Sequence, residues 1–306
     1  MTFNIPRSTG LSLGLAALAA LLLIDAALLA VLRGGWLTLG GFVSFCMLLA
    51  SVPALLFVGY RTYALARARY VLSRNALVVE WGGRRRVVPL AQVVEARKAA
   101  DFENEVRPRG LHWPGNRVGR GVVEPLGPVE FLAASDKPGL VLVRLSGAAV
   151  PWLALSPAEP QAFLDNLAAF QAEGPEEEID AEDAQPAFAR WDLWHDRLAL
   201  GLLAAGLTSV VVLLGYLALI APQLPEQIAL HFNAQGQPDR FGPPAGLLIL
   251  PVIAGLAWLV NALLGVWFHR GPRERPAAYL LLGAALFVQA LVWVAAVGLL
   301  TAGNAA

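Results

Sequence analysis

Leu198 to Ile220 reads LALGLLAAGLTSVVVLLGYLALI, with no charged side chain. A helix needs about 20 consecutive apolar residues to cross the hydrocarbon core of a bilayer. This stretch meets that length, and so do Leu11–Leu32, Leu37–Gly59, Leu247–Phe268 and Ala277–Thr301. Trp36, Trp191, Trp194 and Trp267 lie near the ends of these runs, where amphipathic aromatic rings favour the membrane–water boundary. The sequence therefore predicts a multi-pass α-helical membrane protein with five transmembrane helices. The first run is too long for a signal-peptide core and lacks a small-residue cleavage site after it, so it reads as an uncleaved span.

Composition agrees. The 306 residues are 57% hydrophobic and 15% charged, against about a quarter charged in soluble chains. Formal net charge is zero, which gives no support to a nucleic-acid partner. The single cysteine, Cys46, falls within the second apolar run. It excludes a disulfide framework or a cysteine zinc site within one chain.

Arginine placement predicts the orientation. Arg7 precedes the first span, Arg61, Arg67, Arg69 and Arg74 follow the second, and Arg270, Arg273 and Arg275 fill the connection between the fourth and fifth. Basic residues near span ends are retained in the cytoplasm. Placing all these inside leaves only Arg33 and Arg240 outside near membrane ends. The N-terminus and the region between spans two and three are then cytoplasmic, and the C-terminus is outside.

Residues 61–172 follow a different pattern. Tyr70–Ser73, Ala76–Trp81 and Arg84–Pro89 are short runs rich in β-branched and aromatic residues, separated by Arg74-Asn75 and Gly82-Gly83. Two-residue separators of this type signal β-hairpins. Ala91–Ala96 continues the meander. Arg107 to Leu126, rich in Gly, Arg and Pro, has no period and reads as a long loop. Further strands are expected over Val129–Ala134, Leu140–Leu145 and Val150–Leu155, with a turn at Asp136-Lys137-Pro138-Gly139. Ser156 is the expected N-cap of a closing helix, with Pro157 at its first position and Glu159 completing a capping box. Phe163, Leu164, Leu167 and Phe170 give that helix an apolar face.

This order resembles bacterial pleckstrin-homology (PH)-like domains. The hairpin from Tyr70 to Glu80, the Gly-Gly turn, Val88-Pro89-Leu90 and the segment from Ser156-Pro157 to Phe163-Leu164 carry the resemblance. It implies an α+β fold, a partly open β-barrel plus a C-terminal helix, and no catalysis. Residues 173–190, with Glu173, Glu176, Glu177, Glu178, Asp180, Glu182 and Asp183 among Gly, Pro and Ala, read as an extended, mobile acidic linker. The expected domains are thus a two-helix hairpin over 1–60, the PH-like domain over 61–172, the linker over 173–190 and a three-helix domain over 191–306.

The connection between spans three and four, 222–245, is dense in special residues: Pro225, Ile228, His231, Phe232, Asn233, Gly236, Pro238, Asp239 and Gly242. This spacing resembles the domain of unknown function of SdpI-type membrane proteins, whose best-known members act in bacterial signalling and immunity to a secreted toxin. The two leading spans and the inserted domain depart from that pattern and point to a sensor or adaptor rather than to immunity.

Candidate site residues follow. His231, Phe232, Asn233, Asp239 and Arg240 are the expected ligand- or partner-binding set. His231 and Asp239 are too few, with asparagine a poor ligand, to hold zinc, so no metal is expected, and no cofactor. Arg67, Arg69, Arg84 and Arg86 are expected to contact the membrane surface and its anionic headgroups, with the acidic linker competing for them. Asp25, Asn261 and Gln289 are the intramembrane polar residues. Asn261 and Gln289 are expected to bond between helices. Arg107, Arg109, Arg117 and Arg120 do not follow the P-loop pattern, and Glu103, Glu105 and Glu124 interrupt them, against nucleotide or nucleic-acid binding. The four histidines His112, His195, His231 and His269 are distributed over both sides of the membrane, and no catalytic motif is present. The reading is a non-catalytic membrane sensor or adaptor of the bacterial cytoplasmic membrane, with lipid and an unidentified protein as partners. The alternative is a small transporter or channel component using Asp25 and the bundle interior.

Overall fold

In a computed structural model of the chain, residues 1–102, 106, 108–135 and 137–303 are described. Glu103, Glu105, Arg107 and Asp136 lie outside the described residues. Five helices among the described residues are long and apolar enough to cross a membrane. The protein is a multi-pass helical membrane protein with an inserted PH-like domain, and its residues divide into two compact units.

The first unit comprises Met1–Leu22 and Pro53–Ala189. Strand β1 (Thr2–Phe3) precedes helix α1 (Ser8–Arg33), and helix α2 (Leu39–Ala66) follows. Helix α2 runs past Gly59 because Arg61 finds partners beyond the apolar run. Its guanidinium donates to the carbonyls of Val118 and Asn116, each at 3.2 Å, and Asn116 Nδ2 donates to the Arg61 carbonyl at 3.1 Å. Trp113 Nε1 donates to the Gly10 carbonyl at 3.1 Å. A Cβ on Gly10 would meet the carbonyl oxygen of Gly115 at 2.1 Å, so this approach requires glycine.

Strands β2 (Arg69–Leu72), β3 (Ala76–Trp81) and β4 (Arg84–Pro89) form an antiparallel meander with β1 beside β2. Strands β5 (Val93–Lys98), β6 (Arg117–Val123), β7 (Gly127–Ala133), β8 (Val141–Leu145) and β9 (Trp152–Leu155) form a second sheet, ordered β5-β8-β9-β7-β6. Neither sheet closes on itself, as expected of a partly open barrel. Helix α3 (Pro160–Glu173) places Phe163 and Leu167 in a core shared with Tyr70, Leu72, Leu77 and Leu153.

Three local expectations need correction. Strand β6 lies inside the segment read as a loop; Gly119 and Gly121 dilute its β signal, and pairing with β7 overrides that weakness. Ser156 is not a helix cap. Its hydroxyl accepts from the Ala134 amide at 2.7 Å, and the helix begins at Pro160 with Glu159 at the cap position. The linker is not a free tether, because Glu182–Ala184 forms strand β10 against β4.

The second unit comprises Leu23–Val52 and Arg190–Ala306. Helix α4 (Arg197–Ile220) leads to a two-stranded hairpin, β11 (Ile228–Phe232) and β12 (Pro238–Gly242), then to helices α5 (Ile249–Phe268) and α6 (Arg275–Gly303). Three polar side chains tie these helices together. Trp258 Nε1 donates to the Leu203 carbonyl at 3.0 Å, Trp293 Nε1 to Ser209 Oγ at 3.0 Å, and Gln289 Nε2 to the Ala254 carbonyl at 2.8 Å. In an apolar medium such bonds favour association because the alternative is an unpaired polar group.

Candidate functional site

The β11–β12 hairpin is built from its own polar residues. Asn233 Oδ1 accepts from the amides of Gln235 at 3.0 Å and Gln237 at 2.9 Å, and the Gly236 amide donates to the Asn233 carbonyl at 2.9 Å. Gly236 sits at φ +75°, a conformation open to glycine. Gly242 lets Leu230 pass close, since a Cβ there would lie 2.6 Å from Leu230 Cδ1. Asn233, Gly236 and Gly242 thus shape the loop, while Ile228 and Ala229 anchor it in the apolar core of the second unit.

Besides the turn residues 234–237, the hairpin exposes a pair and its neighbours. His231 Nδ1 lies 2.6 Å from Asp239 Oδ1, with side chains 65% and 43% exposed. Arg240 and Phe241 are exposed beside them, and Phe232 is half-buried. The strands bring His231 opposite Arg240 and Phe232 opposite Pro238. His231 and Asp239 supply two metal-capable side chains, and no third joins them among the described residues.

At the other ends of α4 and α5 lies a polar cluster that sequence reading missed. Asp196 caps α4: its Oδ1 accepts the Ala199 amide at 3.0 Å, and its Oδ2 accepts the Tyr279 hydroxyl and faces His269 Nε2 at 2.7 Å. The Ala199 amide, the Tyr279 hydroxyl and His269 together hold the Asp196 carboxyl well below the usual carboxylate range. The His269 ring is 3% exposed. Arg270 lies between the rings of Trp191 and Trp267, 4.4 and 4.8 Å from their centroids, and Arg275 pairs with Asp192. His195 and His269 line one open cavity with Asp196 and Arg275. An acid immediately before an apolar run is an N-cap signal. Nothing in the chain announces that His269 and Tyr279 meet it.

The intramembrane residues are distributed differently. Asp25 Oδ2 accepts from Ser51 Oγ at 3.0 Å, joining α1 to α2. Asn261 Nδ2 bonds the Ala257 carbonyl of its own helix at 2.8 Å, which corrects the expectation of an interhelical bond. Gln289 does bond between helices, as expected.

In the PH-like domain, Arg67 and Arg69 are exposed; Arg67 lies over the Tyr63 ring and Arg69 pairs with Glu80. Arg84 and Arg86 are only 17% and 12% exposed and face Glu130, which is itself 6% exposed. Strand alternation puts both on the same face, and that face holds a carboxylate rather than solvent. Arg84 also pairs with Asp183, so two carboxylates balance the two guanidiniums within the fold, unlike the charge of Arg67. Arg109, Arg117 and Arg120 gather no helix N-terminus around a glycine loop: the Arg109 amide donates to the Arg120 carbonyl at 2.9 Å, next to the strand pair β6–β7.

Residues 68–170 match the family described as Bacterial PH domain, and residues 209–255 match the Domain of unknown function (DUF1648). The chain combines a bacterial PH-like domain with an SdpI-type domain of unknown function. The second match covers the second half of α4, the whole hairpin and the first turns of α5, so it spans the candidate site and stops short of His269. An uncharacterized protein of Archaeoglobus fulgidus is 36% identical over 88 residues, 27% of this chain and 48% of that protein. The chain thus spans about half the length of the curated relative it matches. No solved structure matches.

Proposed function

We propose that the protein is a non-catalytic sensor and adaptor of the cytoplasmic membrane. In this reading the SdpI-type hairpin binds or senses outside and the PH-like domain engages protein or lipid headgroups inside. One observation carries it: α4 and α5 hold the hairpin at one end and clasp each other at the opposite end through Asp196 and His269. Helix α4 has 24 residues and α5 has 20, and at about 1.5 Å per residue each is long enough to cross the apolar core. Binding at His231, Phe232, Asn233, Asp239 and Arg240 that shifts α4 against α5 would be felt at the Asp196–His269 contact. Arginine asymmetry supports the orientation, with the N-terminus and PH-like domain cytoplasmic and the C-terminus outside. Exposed Arg67, next to the end of α2, supports contact with anionic headgroups in this reading, with Arg69 beside it shared with Glu80.

The test uses photoreactive side chains in cells, one replacing Gln235 on the hairpin and one replacing exposed Val94 in the PH-like domain. The expected result is a discrete protein adduct at each position, with the inner adduct altered by His231→Ala. No adduct at either position, together with solute uptake by proteoliposomes that Asp25→Asn abolishes, would replace this reading with transport.

A further inference from the structure

Strand β4 reads Arg84-Arg85-Arg86-Val87-Val88-Pro89 and has two edges. One pairs with β3. The other pairs with the acidic segment, in the register Glu182↔Val87, Asp183↔Arg86 and Ala184↔Arg85. The carboxylates follow the basic strand. Asp183 takes Arg84 through both oxygens, at 2.8 and 2.6 Å, and Glu182 meets Arg85 at 3.0 Å. Upstream, Glu176 meets Arg74 at 2.6 Å, while the amides of Glu176 and Glu177 donate to Asn75 Oδ1 at 2.8 and 3.2 Å.

At and between these anchors the segment borders two open grooves. It bridges a cavity of about 340 Å³ flanked by Asn75, Pro89 and Gln92, and another of about 220 Å³ flanked by Arg86, Val88 and Leu145. Ile179, the one large apolar side chain between residues 175 and 184, is exposed. The segment is therefore held by a short backbone ladder and by ion pairs that solvent reaches, interactions that salt screens. A strand edge covered by a ladder of only three residues remains a template for another chain, because its amides and carbonyls accept any extended backbone.

We propose that the second edge of β4 is a strand-addition site for an extended acidic segment of a partner protein, and that residues 182–184 occupy it in cis until such a segment replaces them. This rests on the adaptor reading of the PH-like domain and names the chemistry of its partner: a backbone strand with carboxylates set to meet Arg84 and Arg85.

The experiment uses the full chain in nanodiscs of zwitterionic lipid. The probe is a fluorescent peptide copying residues 175–187, and the unlatched protein carries Glu182→Lys with Asp183→Lys. The tethered segment competes at an effective concentration of about millimolar, so unlatching should tighten peptide binding about tenfold or more. Added salt should weaken binding, and N-methylation of the peptide at residues 182–184 should abolish it. A variant that does not bind the peptide overturns the proposal. So does equal binding of the N-methylated peptide, which would mean charge attraction alone, or a gain of binding to anionic vesicles without peptide binding. Hydrogen exchange on the unmodified protein guards against a misfolded variant. Amides of β4 that face β10 should exchange faster as salt rises while the β3–β4 ladder stays protected, and exchange insensitive to salt also overturns the site. Crosslinked adducts in cells without peptide binding here would reject this site and leave the adaptor reading standing.

Discussion

Tyr70 shows how one side chain fastens the PH-like domain. Fully buried, it donates its hydroxyl to the Leu132 carbonyl at 2.5 Å and accepts the Ser156 amide at 3.1 Å, so it links β2 to the second sheet. Burial pushes its phenol above the usual value, and the group serves as a neutral hydrogen-bonding node. Tyr70→Phe leaves a buried amide and a buried carbonyl without this partner, at a cost of about 1–3 kcal/mol. Thermal unfolding of the purified full chain should show the PH-like domain melting earlier, and an unchanged melt would refute the role. Asp196 is the corresponding node of the second unit. Its folded-state pKa is depressed, so its contribution is fully present above the ordinary carboxylate value of 3.8 and is lost as pH falls toward the folded value. Protection of the Ala199 amide, measured relative to its intrinsic exchange at each pH, should fall below about pH 4, and Asp196→Asn should flatten that response.

At the scale of elements, the β11–β12 hairpin is stabilised by its turn. Asn233→Ala removes the acceptor of two amides in an exposed loop, worth about 0.5–1.5 kcal/mol each. Exchange at Gln235 and Gln237 should rise while α4 and α5 remain protected. His231→Ala, by contrast, should leave those amides unchanged, because His231 pairs with Asp239 and not with the turn. That contrast separates the loop's architecture from the surface it presents. Helix α2 illustrates the opposite relation: a helix is extended beyond its apolar run by contacts at Arg61 that the run itself does not contain.

At the scale of the whole molecule, five apolar helices and asymmetric arginines predict one arrangement in the membrane. With Cys46→Ser as background, Gln235→Cys should react with a membrane-impermeant maleimide in intact cells. Arg85→Cys should react only after the membrane is opened. Labelling of residue 85 from outside would reverse the orientation and with it the assignment of sensing and adaptor sides.

Much of this was legible in the chain because it depends on local pattern. Span length, the Tyr70–Glu80 hairpin, and the His231-Phe232-Asn233 motif with Gly236, Pro238 and Asp239 are each written in consecutive residues whose spacing matches a backbone period or a turn. Strand β6 escaped because its glycines carry no apolar alternation. Ser156 misled because a serine before Pro looks the same whether its hydroxyl caps a helix or, as here, accepts the Ala134 amide from another strand. Only the tertiary structure could bring Asp196, His269 and Tyr279 together from three helix ends, turn Arg84 and Arg86 inward onto Glu130, and lay Glu182–Ala184 on β4. Each of those outcomes depends on which distant surfaces meet, and a charged residue's sequence neighbours do not specify the partner that will neutralise it.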